Sequence, residues 1–393
     1  MSEQQVLKGM DMFSSVICAN PDYKEILSSY PSLVEQIDRI KELDISLPYE
    51  FPFDSKISEI KTTVEYDLGQ GFVGLNRHRR CIYLKVDDWY IAFKGISFAY
   101  DIEEPQKEGS MHPKRITELI EEFAEREHEI PFGMTVPCCQ EDYDASLPFC
   151  KDYYNQYGSI PNVPYPLMIL SLKETKSVKS NKKLLLNHCL ETSRDLLTDF
   201  YYPQTLGVYV YAIHSSPVRV GHLVSYSPIE QKLSWLMSNT LEIVERMFVL
   251  GYVPCKQSSI LVKQNSFTFG KNKGLCLSSW NIGLGGTLFD FNSVKPIVAY
   301  STEKEARYDI QLSLQWLCKL IVSFERNYFN ALLPLGEPRF ASYEMSDYNE
   351  AVVFVQQKLY AYYQRKLLDN DSIHPYLKRF FDTDMSRSSI RMF

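Results

Sequence analysis

The sequence predicts an α+β fold with two lobes, a sheet-rich N-lobe followed by a helix-rich C-lobe. Residues 81–98 read CIYLKVDDWYIAFKGISF and alternate apolar with polar side chains, which is typical of an antiparallel sheet. From residue 229 on, long segments carry apolar residues at helical spacing instead. Strands collected before helices indicate an α+β fold with two lobes and a cleft between them. A chain of 393 residues is long enough for one large or two smaller domains.

Three segments organise the predicted fold. Residues 1–60 are expected to form an N-terminal helical extension, in which Leu33, Ile37 and Ile40 follow helical spacing. Residues 61–175 are expected to form the N-lobe, with one amphipathic helix at 114–129 and strand, loop and strand over 132–175. Residues 176–393 are expected to form the C-lobe. Its predicted helices include one that ends at Gly251 and two at about 304–330 and 346–367.

Composition and charge exclude several classes of protein. The net charge of −7 argues against a general nucleic-acid binder, which would be basic. No apolar run reaches the roughly 18–20 residues that a membrane span requires, and the first residues lack the charged-then-apolar pattern typical of a secretion signal. We therefore expect a cytoplasmic protein without a membrane partner. The nine cysteines contain no C-x-x-C pair, and we interpret them as buried free thiols.

A glycine motif opens the predicted sheet. Gly69, Gly71 and Gly74 have the spacing G-x-G-x-x-G, which in some proteins holds the phosphates of a nucleotide. The same glycines would also suit a β-bulge or a tight turn, and the sequence leaves both interpretations open. Because sheet rather than helix follows the motif, a protein-kinase-like arrangement is favoured over a dinucleotide-binding one.

Lys94 ends the strand-like run IAFK. In a strand, Ala92 and Lys94 point to one face, so that a flat base has room beside Ala92 while the ammonium reaches phosphates. A kinase-like site also needs a carboxylate on a following helix to hold this lysine, and Glu118 on the 114–129 helix is the candidate. The alternative is that Lys94 and Glu118 are ordinary solvated side chains of a strand and a helix.

Several segments, in order, resemble the selenoprotein-O family of kinase-fold protein adenylyltransferases. AFKGISFAYD (92–101) is similar to the family's strand ending in L-K-G, and ITELIEEFAEREHEIP (116–131) is similar to its next helix. SSPVRVGHLVSY (215–226) and ERMFVLGYV (245–253) resemble a later strand pair and helix of the family. The resemblance spans about residues 65–330 in short islands.

The resemblance implies the roles of the site residues. Lys94, with Gly95 beside it, would bind nucleotide phosphate, Glu118 would orient Lys94, and Arg219 would contact phosphates with its planar guanidinium. ATP and Mg²⁺ are the implied ligands. The implied reaction transfers AMP to a Ser, Thr or Tyr hydroxyl, so a protein substrate is an implied partner.

Two of the family's motifs are altered in this chain. The family's glycine loop aligns better with LNRHRRC (75–81) than with 68–74, and Arg80 is then the match to its loop arginine. The segment equivalent to the catalytic loop is CKQSSILV (255–262), which has Gln257 and Ser258 in place of the base and a metal ligand. Asn281 stands where the family has its metal aspartate. Asp290 is the nearest carboxylate, and is either a shifted metal and catalytic residue or a cap or turn residue.

These observations leave two hypotheses of different classes. In the first, the chain is a kinase-fold nucleotidyltransferase or phosphotransferase that moves AMP or phosphate from ATP to a hydroxyl. In the second, it is a catalytically inactive pseudokinase that acts as a binding or interaction module. The missing base and metal ligand motivate the second hypothesis, and nucleotide binding without metal is a third possibility for the chemistry of the cleft.

Overall fold

The structure is a computed structural model that describes the chain in segments. These are residues 7–8, 13–47, 65–75, 81–95, 129–130, 133–173, 205–220, 234–254, 277, 281–327, 333–336 and 348–383. The chain divides into two compact units: residues 1–144 with 165–218, and residues 145–164 with 219–393. This division differs from the predicted boundary between residues 175 and 176, because the strand after residue 205 belongs to the first unit.

The described strands run, in chain order, as β1 (Leu7–Lys8), β2 (Phe13–Ala19), β3 (Ser46–Leu47), β4 (Glu65–Gly69), β5 (Phe72–Leu75), β6 (Cys81–Val86), β7 (Trp89–Lys94), β8 (Glu129–Ile130), β9 (Gly133–Met134), β10 (Tyr165–Leu172), β11 (Gly207–Ile213), β12 (Tyr252–Val253) and β13 (Lys295–Pro296). The helices are α1 (Tyr23–Ile26), α2 (Pro31–Lys41), α3 (Val136–Tyr157), α4 (Ser234–Val249), α5 (Glu303–Asn327), α6 (Tyr348–Leu368) and α7 (Pro375–Thr383). The prediction of a mixed α+β chain with an antiparallel sheet is confirmed.

The first unit is built on a seven-stranded antiparallel sheet, counted over the described residues. Its strand order is β2-β10-β11-β7-β6-β5-β4. Every residue of β10 and β11 is buried, as is β7 up to Phe93, so both faces of the centre of the sheet are covered.

The prediction that residues 1–60 are helical is only partly right. Helix α2 is present and packs against β6 with Leu33, Ile37 and Ile40 buried, but residues 13–19 form strand β2.

Helix α3 corrects the prediction of strand and loop after residue 132. The helix is capped by Thr135, whose hydroxyl accepts the Cys138 backbone N–H at 3.2 Å, and Pro137 lies in its first turn. Pro148 lies inside the helix and is exposed, although proline normally interrupts a helix. The division between the two units falls within this helix, between Asp144 and Ala145.

The second unit contains helices α4, α5, α6 and α7, with α6 in contact with the other three. Phe248, Tyr363 and Phe381 form an aromatic cluster in its core, with ring centroids 5.5–6.4 Å apart. The predicted helices at 304–330 and 346–367 are confirmed within a few residues. The helix predicted to end at Gly251 is α4, and Gly251 adopts φ +80° just after it. Among the described helices, none has the length and apolar character needed to cross a membrane.

His374 caps α7, and we expect it to make this helix sensitive to pH. Its ring Nδ1 accepts the Tyr376 backbone N–H at 3.3 Å, and burial together with the positive charge of Arg379 lowers the pKa of His374 below 6.5. The unfolded chain therefore takes up this proton at a higher pH than the folded chain, so stability falls as the pH drops through about 6.5. We expect His374→Asn, which keeps a capping oxygen that does not titrate, to reduce this loss. Hydrogen exchange of α7 peptides between pH 7 and pH 5 measures it, and equal pH dependence in both proteins would contradict the assignment.

Candidate functional site

Lys94 is paired with a buried carboxylate in the first unit. Its Nζ lies 2.7 Å from Oδ2 of Asp142 on helix α3, and the two side chains are 15% and 3% exposed. Lys94 ends β7, between β6 and β11 at the centre of the sheet. The predicted partner, Glu118, lies outside the described residues, and its role stays a prediction. Asp142 was missed because α3 was not predicted. The signal for that helix was the Thr135 cap followed by Pro137.

Two glycines allow helix α3 to approach the sheet closely at Lys94. Gly95 has φ +107°, and a Cβ placed there would lie 2.8 Å from the Gly207 carbonyl oxygen and 3.1 Å from Cβ of Met134. A Cβ on Gly207 would lie 3.0 Å from Sγ of Cys139 and 3.1 Å from Cα of Val136. The first turn of α3 therefore packs directly on the backbone of β11. Asp142 lies less than two turns after Val136 on the same helix. The close approach of this helix to the sheet therefore brings Asp142 within reach of Lys94.

The three glycines of the G-x-G-x-x-G motif lie in a β-hairpin. Gly69 and Gly71 flank the turn between β4 and β5 with φ +87° and +81°, and Gly74 lies within β5 opposite Tyr66. The turn is held by the Asp67 carboxylate, which accepts the Gly69 backbone N–H at 2.8 Å. The positive φ values of this turn account for Gly69 and Gly71, as the alternative interpretation anticipated. The loop with the competing alignment, which contains Arg80, lies outside the described residues.

Arg219, Asn281 and Asp290 come together in the second unit, although they are distant in sequence. Nη1 of Arg219 donates to Oδ1 of Asn281 at 3.0 Å and lies 3.9 Å from Oδ2 of Asp290. The guanidinium carbon lies 4.4 Å from the centroid of the Phe289 ring. Arg219 is only 3% exposed and Asn281 5%, whereas the Asp290 side chain is 26% exposed. The guanidinium is thus an internal group of this unit.

The backbone of residues 281–290 forms a folded loop that fixes these groups. Arg219 forms an antiparallel bridge with Gly283, and the Val220 N–H donates to the Ile282 carbonyl at 2.8 Å. The Phe289 N–H donates to the Asn281 carbonyl at 2.7 Å, which closes the loop. Asp290 has φ +51°, a left-handed conformation that Asp and Asn tolerate, and it precedes the short 3₁₀ helix Phe291–Ser293.

An amide side chain anchors the glycine-rich turn of the same loop. Asn162 donates through Nδ2 to the Gly285 carbonyl at 2.6 Å and accepts the Thr287 hydroxyl at 2.7 Å. The turn is also closed by the Gly286 N–H, which donates to the Gly283 carbonyl at 2.9 Å. Asn281 and Asp290 therefore project from a loop whose backbone is held at several points.

The predicted site residues fall into two groups. Lys94 and Gly95 belong to the first unit, and Arg219, Asn281 and Asp290 belong to the second. The convergence of Lys94 and Arg219 on one polyphosphate stays a prediction. Within the described residues, no group of three or more His, Cys, Asp or Glu side chains is placed to hold a metal ion.

Comparison with known proteins does not identify a family for this chain. The resemblance to the selenoprotein-O family rests on the short segments quoted above and stays a prediction. Comparison of the chain with protein-family models, with curated proteins and with solved structures found no match in any of the three.

Proposed function

We propose that the chain binds a nucleotide such as ATP, with Lys94 as the residue that contacts its phosphates. The observation that carries the proposal is the Lys94–Asp142 ion pair between a central strand and the next described long helix. Protein kinases use the same combination, a strand lysine held by a carboxylate of the following helix. The run Ala92-Phe93-Lys94 supplies the small residue and the lysine of the V-A-I-K strand on one face.

Physical chemistry supports a role for this pair beyond stability. A buried ion pair is expensive to desolvate and is often replaceable by apolar side chains without loss of stability. Lys94 is also not fully enclosed, since its side chain is 15% exposed. An ammonium that is oriented by one carboxylate and still reaches the surface is suited to hold an anionic ligand.

The second candidate function is that of a binding module without catalytic activity. Two observations favour it: Gln257 and Ser258 stand where a base and a metal ligand are expected, and Arg219 engages both Asn281 and Asp290. Glutamine cannot accept a proton as a general base. In this alternative, the nucleotide or another anionic ligand would regulate an interaction with a protein partner.

Nucleotide binding is tested by thermal unfolding with ATP. A ligand present at 100 times its Kd adds about 2.7 kcal/mol to the free energy of unfolding, so millimolar ATP is expected to raise the Tm clearly. We expect Lys94→Met to weaken ATP binding at least about tenfold, the size expected for the loss of a charge-assisted contact. Lys85→Met is the matched control, because Lys85 is an exposed lysine on the neighbouring strand β6.

Binding by the variants is measured by equilibrium dialysis on protein whose fold has been checked by circular dichroism. A wild-type protein that ATP does not stabilise at millimolar concentration rules out the nucleotide proposal. Equal ATP affinity of Lys94→Met and Lys85→Met would show that Lys94 makes no contact with the ligand.

The two candidate functions are separated with labelled ATP and a cell extract as the source of acceptors. Transfer of label from the α-phosphate indicates AMP transfer, and transfer from the γ-phosphate indicates phosphate transfer. Lys94→Met is the control for contaminating enzymes. Transfer of label that depends on this chain should be lost in the variant, whether the label is on the α-phosphate or the γ-phosphate. Nucleotide binding with neither transfer favours the binding module.

A further inference from the structure

The two oxygen ligands that the sequence offers to a metal both face one nitrogen of an arginine. Asn281 Oδ1 and Asp290 Oδ2 lie 3.0 Å and 3.9 Å from Nη1 of Arg219. Arg219 is 3% exposed and its guanidinium carbon lies over the Phe289 ring, so the side chain is held in place by packing as well as by charge. The position between the two oxygens is therefore next to a fixed positive charge.

Magnesium does not fit this set of groups. Mg²⁺ requires near-octahedral oxygen coordination at about 2.0–2.1 Å and is usually held by one or two carboxylates together with substrate phosphates. The Asp290 carboxylate and the Asn281 amide are oxygen donors of a suitable kind, so the obstacle to a metal is the charge beside them. An ion bound to both would lie within a few ångströms of the positively charged guanidinium of Arg219, which would repel it.

We propose that Arg219 is the permanent counter-cation of the loop 281–290, and that Asn281 and Asp290 hold this guanidinium instead of a divalent metal. Arg219 is thereby a positioning residue of the loop rather than a ligand of phosphate, the role that the resemblance implied for it. The inference concerns the second unit alone and stands whether or not Lys94 binds a nucleotide.

The role of Asp290 is tested on metal-free protein. If Asp290 balances a buried guanidinium, Asp290→Asn in EDTA lowers the Tm by about 2 °C or more, since the charge of Arg219 is left without this carboxylate. Asparagine tolerates the left-handed backbone of residue 290 at least as well as aspartate, so the substitution isolates the charge. Asp382→Asn is the control for loss of one negative charge, because Asp382 is exposed on α7.

Metal binding is tested with Mn²⁺ alone on the same proteins. We expect 1 mM Mn²⁺ to leave the difference in Tm between wild type and Asp290→Asn unchanged. A Tm of Asp290→Asn in EDTA equal to or above that of the wild type overturns the inference, because Asp290 would then contribute nothing to balancing the guanidinium of Arg219. A rise in wild-type Tm with Mn²⁺ that Asp290→Asn abolishes also overturns it.

The failure of this inference and the failure of the proposed function have different signatures. ATP that stabilises neither wild type nor Asp290→Asn, in EDTA or with Mg²⁺, rejects nucleotide binding and leaves the counter-cation role intact. ATP stabilisation that requires both Mg²⁺ and Asp290 supports nucleotide binding and rejects the counter-cation role. Equal ATP stabilisation of wild type and Asp290→Asn with Mg²⁺ is the result that both proposals predict.

Discussion

Replacing Lys94 by methionine is expected to lower the free energy of unfolding of the first unit by about 3 kcal/mol. The substitution leaves Asp142, whose side chain is 3% exposed, without its ammonium partner 2.7 Å away. Breaking a buried pair from one side costs about 3–5 kcal/mol, and the lower end applies here because water reaches Lys94. Hydrogen exchange of β7 and β11 peptides should show the loss, while α5 peptides in the second unit report whether the effect is local.

The interaction itself is isolated by a double-mutant cycle with Asp142→Leu. Asp142→Leu is expected to cost less than Lys94→Met, since the remaining lysine is partly exposed and its ammonium can turn to water. The double variant Lys94→Met/Asp142→Leu should lose at least about 1 kcal/mol less than the sum of the single losses. Strictly additive losses would mean that Asp142 does not hold Lys94, and the kinase-like interpretation of the pair would lose its main support.

Gly95→Ala is expected to lower the free energy of unfolding by a similar amount, about 3 kcal/mol or more. A side chain at φ +107° is strained, and the new Cβ would lie 2.8 Å from a backbone oxygen, which no rotation of a side chain can relieve. The clash separates β7 from Gly207, on which the first turn of α3 packs. We therefore expect the ATP affinity to fall as well, because Asp142 moves away from Lys94.

Gly69→Ala is the matched control for backbone strain without a clash. Gly69 also has a positive φ, +87°, but a Cβ there meets nothing within 4 Å. Its cost should be about 1 kcal/mol. Urea unfolding of both variants measures the difference. Equal costs for the two substitutions would contradict the close approach of β7, β11 and α3.

The geometry links the two largest effects to one local arrangement. Gly95 and Gly207 permit the contact between helix and sheet, Thr135 begins the helix at that contact, and Asp142 lies where the same helix passes Lys94. A lysine held in this way cannot swing freely, so its charge is available in a fixed direction. Orientation of the ammonium before the ligand arrives lowers the entropic cost of binding.

Some elements of this fold are evident from local sequence and others are not, for a physical reason. Helices α5 and α6 and strands β6 and β7 were predicted because their periodicity is complete within a short stretch of chain. Helix α3 was not, because Pro148 and the adjacent Cys138 and Cys139 obscure a pattern that becomes regular only once the buried face is known. The strand β2 was missed because an edge strand with exposed side chains carries little apolar alternation.

What the sequence alone determined about this protein is local: a strand that ends in Lys94, glycines that suit a turn, and an arginine followed much later by an amide and a carboxylate. Only the tertiary structure decided which of these groups meet. Lys94 and Asp142 are 48 residues apart and Arg219 and Asn281 are 62 apart, so their pairing depends on how distant segments pack. Residue type indicates that a buried charge needs a partner, whereas packing selects the partner.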